Sequence, residues 1–163
     1  MNEIVLRPIG IIHTPHGEQA GTPIQPAYAQ GVRGTVTLFD EYGGALADLA
    51  GFERIWLLYQ FDRAGAWKPK VVPYRDVVER GLFATRAPTR PNPIGMSVVR
   101  LLSVAGNVLE VEGVDMLDGT PLLDIKPYVP EFDAHPESRA GWLDTGSPRA
   151  QADDRFEGSP RRP

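Results

Sequence analysis

Apolar positions along this chain fall in short alternating runs separated by proline, glycine and charged residues, a spacing that predicts strands rather than long helices. Residues 4–12 (IVLRPIGII) are apolar and β-branched with Pro8 among them, which predicts an opening strand with a kink or an edge position. Residues 13–31 carry three prolines and three glycines with no period, so a long loop is expected there. Residues 31–39 alternate, with Val32, Val36 and Leu38 on one face. In GGALADLAG (43–51), Leu46, Leu49 and Ala50 fall at helical spacing and Gly51 offers a stop, predicting a short helix or turn. Residues 54–61 (RIWLLYQF) form the most apolar run and predict a central strand, followed by an irregular stretch over 62–80.

Residues 81–85 predict another short strand, and 96–104 and 108–114 a hairpin turning at Ala105, Gly106 and Asn107. Residues 122–128 (LLDIKPY) set Leu123 and Ile125 against Asp124 and Lys126. Six or seven strands, at most two short helices and no strand-helix-strand alternation predict a mainly β fold, a single-sheet antiparallel β-barrel. The expected organisation is a barrel domain over 1–133 and a carboxy-terminal extension over 134–163, partly packed and then a tail.

Composition narrows the chemistry. The 163 residues are 42% hydrophobic and 23% charged, as in an ordinary globular domain. Cysteine is absent, which removes disulfides, thiolate metal sites and cysteine nucleophiles. No apolar run approaches a membrane span, and the opening residues lack a leader's basic and apolar regions, so a cytoplasmic location is expected. A formal charge of -4 argues against a broad electrostatic grip on nucleic acid and leaves room only for a local basic patch.

Several common site motifs are missing. No GxGxxG follows a strand, no GxxxxGK occurs, and Gly95-Met96-Ser97 lacks the second glycine of a nucleophile elbow. His13 and His16 sit in HTPH, where Pro15 breaks the helix that would align them, so they read as loop histidines rather than metal ligands.

The decapeptide RAPTRPNPIG (86–95) is unusual: Pro88, Pro91 and Pro93 fix φ, and Ala87, Arg90 and Asn92 are driven towards extended geometry by the prolines that follow. Such a loop either turns a rigid corner between strands or holds the guanidinium forks of Arg86 and Arg90 against a ligand at low ordering cost. Downstream, LDGTPLLDIKPY (117–128) places Asp118, Asp124 and Lys126 about a tight turn and a short strand, where they serve a site or form a solvated pair.

GLFATRAPTRPNPIGMSVVRL with DMLDGTPLLDIKPYVPEFD downstream, and IGIIHTPHGEQAGTPIQP at the start, resemble the TsaA-like (tRNA methyltransferase O) family over about residues 7–133. The resemblance implies a β-barrel that binds S-adenosyl-L-methionine and works as a homodimer with cofactor sites near the subunit interface; no metal is expected. It implies methylation of N6 of threonylcarbamoyladenosine at position 37 of the tRNA anticodon loop. Carried over by motif, the cofactor contacts fall at Pro23, Ile24, Gln25, Asp62, Arg63, Arg86, Met96, Asp118, Gly119, Thr120 and Pro121. Asp62-Arg63 stands where bacterial members carry His-Gln. Arg7, Arg33, Arg86, Arg90 and Arg100 are the arginines expected to converge on tRNA across a dimer.

A carbamoylated N6 is a poor nucleophile, so a base to take its proton is expected, with Asp124 or Asp118 as candidates. Other readings share the barrel: the same cofactor chemistry on a small-molecule acceptor, a non-catalytic module that binds the cofactor, or a purely structural barrel.

Overall fold

The computed structural model describes residues 3–146 and 148–158. Six strands close into an antiparallel barrel: β1 (Gly10–His13), β2 (Arg33–Leu38), β3 (Arg54–Gln60), β6 (Ile94–Ala105), β7 (Val108–Glu112) and β8 (Thr120–Pro127). Round the barrel the order is β1-β2-β7-β6-β3-β8, with β8 returning to β1. The alternation seen in sequence becomes the two faces of the wall. Ile55, Leu57 and Tyr59 of β3 point inward with Val99 and Leu101 of β6, and Ile12, Val36, Leu109, Val111 and Leu122 fill the same core. Closure leaves no free sheet edge in the barrel.

The long β6 and β7 meet at the expected hairpin, Ala105 pairing with Val108, and Gly106 adopts the positive φ of 57° that this tight turn requires. The opening strand is shorter than 4–12. Pro8 has no N–H to give the ladder, pairing starts at Ile9, whose N–H reaches the Leu122 carbonyl, and Ile4, Val5 and Leu6 are exposed. GGALADLAG takes the turn of the two readings: it holds the end of one 3₁₀ segment, Asp40–Leu46, and a second, Leu49–Gly51, with Asp48 between them at a left-handed φ of 65°.

β8 also departs from simple alternation. Leu58 pairs with Asp124 but Tyr59 pairs with Leu122, a bulge that leaves Leu123 as the extra residue. Leu122 and Ile125, rather than Leu123 and Ile125, therefore reach the core.

Between β3 and β6 the chain leaves the barrel. Here β4 (Lys70–Val71) and β5 (Arg80–Gly81) form a two-stranded ribbon inside the stretch expected to be irregular. Residues 82–84 make a 3₁₀ turn where a strand was expected, closed by the Thr85 hydroxyl donating to the Leu82 carbonyl at 2.8 Å. Val71, Leu82, Ala87 and Phe156 form a second small core with Tyr74 against it.

Phe156 belongs to the segment expected to be a tail. Residues 150–158 instead lie as a strap over the barrel end: Pro23 bridges Gln151, Ala64 bridges Glu157, and the Phe156 and Tyr74 rings meet edge to face at 5.0 Å. Trp142, in a 3₁₀ turn at Gly141–Thr145, donates its indole N–H to the Ala84 carbonyl at 2.7 Å. Polar composition hid this packing, because the strap is held mainly by backbone hydrogen bonds and one aromatic anchor.

Candidate functional site

A cavity of about 280 Å³ opens at one end of the barrel, where the loop before β2, the excursion between β3 and β6, the turn before β8 and the strap meet. The barrel itself supplies Tyr59 at the end of β3 and Gly95 and Met96 at the start of β6. A Cβ at Gly95 would overlap the Tyr59 ring and crowd Phe61, so only glycine lets these strands close under the cavity floor.

The decapeptide forms one wall, turned tightly where the Arg90 N–H donates to the Pro88 carbonyl at 2.9 Å and the Ile94 N–H to the Asn92 carbonyl at 2.8 Å. Ala87 and Thr89 are buried, while Arg86, Pro88 and Arg90 line the cavity. The stiffness is reinforced from within: Arg90 donates to the carbonyls of Thr85 at 3.0 Å and Ala87 at 3.3 Å, and its guanidinium lies 5.6 Å from the Phe83 ring centroid. Arg86 instead reaches across to Gln25, donating to Oε1 at 2.7 Å and joining this wall to the loop before β2.

On the opposite side Arg63 donates to the Asp118 carbonyl at 2.7 Å and to Thr120 Oγ1 at 3.3 Å, with Asp62 Oδ1 3.3 Å from its Nε. The strap completes the rim. Ala152 is 9% exposed and lines the cavity, exchanging backbone hydrogen bonds with the 21–24 loop, while Gly158 donates to the Arg63 carbonyl at 3.0 Å. Tyr74 accepts from Gln19 Nε2 at 2.6 Å and donates to the Asp153 carbonyl, and burial pushes its phenol up to about 12.

The residues expected from sequence are largely brought together: Pro23, Ile24, Gln25, Asp62, Arg63, Arg86, Met96 and Thr120 all line the cavity. Asp118 and Gly119 lie in an adjoining recess with Asp62, Arg63 and Leu117. Pro121 lines neither. Asp118 accepts from the Thr14 N–H at 3.1 Å and meets His13 Nδ1 at 3.3 Å, contacts that hold its carboxyl below the usual carboxylate range, the Thr14 bond first.

Asp124 lies on the outer wall beside Leu58, paired with Lys126 at 3.1 Å. His16 donates to the Val114 carbonyl at 3.0 Å. Among the described residues no group of three acidic or histidine side chains is placed to hold a metal ion, and no helix is long and apolar enough to cross a membrane. Of the arginines, Arg86, Arg90 and Arg63 meet at the cavity, whereas Arg33 and Arg100 flank Glu112 in the sheet.

Sequence inspection missed Asp115. Its carboxylate lines the cavity and accepts from the Ser97 hydroxyl at 2.6 Å, and Ser97 lies 3.0 Å from the Tyr59 hydroxyl. Burial pushes the Asp115 carboxyl up to about 7, against the opposing Ser97 bond and the positive charge of Arg86. The signal was present as the first residue of DMLDGTP, but Asp115 follows directly on the strand expected over 108–114 and reads there as its polar end.

A family model described as tRNA-methyltransferase O N-terminal domain matches residues 11–134. A probable S-adenosyl-L-methionine-binding protein of Pyrococcus abyssi is 53% identical over 141 residues, which cover 86% of this chain and 77% of that protein. The tRNA (adenine(37)-N6)-methyltransferase of Escherichia coli is 36% identical over 152 residues, covering 87% of this chain and 65% of the other. Among solved structures, the crystal structure of TrmO from Pseudomonas aeruginosa aligns with a TM-score of 0.77 at 40% identity, over 90% of this chain and 66% of that one. The chain thus spans about two thirds of the length of the E. coli and P. aeruginosa proteins. The strap lies beyond the matched family region.

Proposed function

The chain belongs to the tRNA-methyltransferase O N-terminal domain family, and on that footing we propose that it is an S-adenosyl-L-methionine-dependent methyltransferase acting on N6 of adenosine 37 of tRNA. The finer reading is that the acceptor is threonylcarbamoyladenosine in the anticodon loop and that the enzyme is a cytoplasmic homodimer. One observation carries the cofactor assignment: Pro23 to Gln25, Asp62-Arg63, Arg86, Met96 and Thr120, far apart in sequence, converge on one cavity.

The lining suits the cofactor's chemistry. The Arg86 and Arg63 guanidiniums match its carboxylate, Asp62 and, in the adjoining recess, the Asp118 carbonyl provide acceptors for its amino group and ribose diol, and Ile24, Phe61, Pro88 and Met96 offer apolar surface to its adenine. When bound, S-adenosyl-L-methionine supplies a methyl group on a positively charged sulfonium. The protein's part is alignment and exclusion of water. The proline-stiffened wall fixes Arg86, the strap holds the loop that carries Gln25, and Arg63 ties the excursion to the turn before β8.

Homodimer formation is supported by exposed apolar groups that also line the cavity, Ile94 and Met96 on the outer face of β6. A second subunit covering Met96 would close the cavity further and bring another set of arginines towards the acceptor, compensating for the acidic balance of the single chain.

The test has two stages. S-adenosyl-L-methionine or its demethylated product should raise the thermal midpoint, since a ligand bound only by the folded state stabilises it. Mass spectrometry of nucleosides from tRNA of a deletion strain should then show loss of the N6-methylated nucleoside and its return with the gene. No thermal shift with either ligand overturns the cofactor assignment, and unchanged tRNA overturns the acceptor.

A further inference from the structure

We propose that Asp115 is the catalytic base of the transfer, taking the proton of the acceptor nitrogen through Oδ2, with Ser97 and Tyr59 as positioning residues that hold its carboxylate. The proposal rests on the methyltransferase reading and deepens it.

Hydrogen-bond counting fixes the arrangement. The Ser97 hydroxyl has one proton, and the short 2.6 Å contact gives it to Asp115 Oδ1. The 3.0 Å contact between Ser97 and Tyr59 must then have the phenol as donor. Burial drives the Tyr59 phenol far above its ordinary range, so it stays protonated and keeps that direction. The order is Tyr59 to Ser97 to Asp115, both hydroxyls buried and both carried by barrel strands rather than loops. Oδ2 takes no side-chain hydrogen bond among the described residues. Every buried side-chain polar atom described has a partner, so an oxygen without one is not sealed from solvent; the residue's own backbone N–H is the further group that favours the charged carboxylate, and Asp115 lines the cavity.

The other carboxylates are less suited. Asp62 lies against Arg63, Asp118 is exposed and holds the Thr14 N–H, and Asp124 is on the outer wall with Lys126. The charged or titratable groups that face Asp115 are Arg86 from the decapeptide and Tyr59 from β3. Asp62, Arg63 and Arg90 line the rest of the cavity, and His16 holds the carbonyl of the preceding residue, Val114. A carboxylate whose burial brings it to about 7 is matched to proton transfer near neutrality.

The step balances as follows. The acceptor N–H proton passes to Asp115 Oδ2 while the nitrogen electron pair forms the N–CH₃ bond. The S–CH₃ bond breaks with its pair kept by sulfur, which discharges the sulfonium to a neutral thioether. Asp115, now neutral, returns the proton to water after product leaves.

Three measurements on the full chain test this. In the ligand-free protein, carbon NMR of labelled aspartate should show the Asp115 carboxyl titrating near neutrality. At saturating tRNA and cofactor, wild-type turnover should rise with pH to a plateau with a midpoint near the same value. Asp115→Asn should lower turnover by roughly 10²- to 10³-fold, while calorimetry shows the demethylated cofactor bound within about twofold of wild type. Ser97→Ala, which removes a bond that favours the charged carboxylate, should move the midpoint to higher pH.

Retention of wild-type turnover by Asp115→Asn, or an unchanged midpoint in Ser97→Ala, overturns the proposal. So does parallel loss of cofactor affinity and turnover, which would make Asp115 a binding group. A wild-type protein that binds neither form of the cofactor overturns the methyltransferase reading itself, and this proposal with it.

Discussion

The Ile24 N–H donates to the Ala150 carbonyl at 2.9 Å, joining a loop of the cavity to a segment 126 positions further along the chain. Two more backbone bonds, Gly21 to Ala152 and Ala152 to Thr22, extend the junction, and on the far side Gly65 donates to the Phe156 carbonyl. The strap therefore spans the two loops that carry Pro23 to Gln25 and Asp62-Arg63. Neither loop belongs to the barrel sheet.

If the strap sets these loops, its anchor governs ligand affinity more than barrel stability. Phe156→Ala should weaken binding of the demethylated cofactor by on the order of 10-fold, about 1.4 kcal/mol. The barrel's far-ultraviolet dichroism should stay unchanged. Calorimetry checks the first and dichroism the second; unaltered affinity would show that the loops hold their shape without the strap.

Arg86 is the fork between the two walls, and its geometry matters beyond its charge. Arg86→Ala should weaken cofactor binding by roughly 10- to 100-fold, the range expected for a lost hydrogen bond to a charged group. Arg86→Lys should recover little of this, because a point charge cannot bond Gln25 and a ligand carboxylate in the same plane. Titration of each variant with the demethylated cofactor gives the comparison.

Gly95 lies under the Tyr59 ring with no room for a methyl group. Gly95→Ala should cost about 1–3 kcal/mol of stability, the usual penalty for overpacking. It should also lower turnover by displacing the Tyr59 hydroxyl from Ser97. Denaturant unfolding reads the first effect and steady-state kinetics the second.

The Asp115 carboxyl also makes a prediction about stability and pH. With its folded-state value raised to about 7 and an unfolded value of about 4, the folded chain holds a proton that the unfolded chain has lost between these limits. Its contribution to stability is most favourable below pH ~4, declines as pH rises and levels off above ~7. Asp115→Asn removes that decline. Its thermal midpoint should exceed that of wild type by a few degrees at pH 8, and the two should converge near pH 4 in a calorimetric series.

What the sequence showed depended on how far each element announces itself locally. The strands β3, β6 and β7 were legible because alternate residues such as Ile55, Leu57 and Val99, Leu101 meet one core. The start of β1 was not, since IVLRPIGII is apolar throughout and only the missing N–H of Pro8 marks where pairing stops. The Leu82–Ala84 turn looked like a strand because its apolar residues serve the second core, which depends on Phe156 from the far end of the chain.

The cavity shows the same division. Arg86 and Gln25 stood out in long motifs shared with a known family, whereas Asp115, Ser97 and Tyr59 become a unit only when β3 and β6 pair in register. Tyr59 lies opposite Gly95 in that register, two positions before Ser97. Ala152 was invisible for a related reason: nothing in its neighbours says that it crosses the barrel end.

Tyr59 and Ser97 are built into the staves of a sealed cylinder, while Gln25, Arg63, Arg86 and Ala152 hang on the connections at its rim. Rim segments can be lengthened, shortened or exchanged without unpicking the cylinder. The fold can thus change what it admits while keeping the two strand-borne hydroxyls that hold Asp115, itself carried on the connection between β7 and β8.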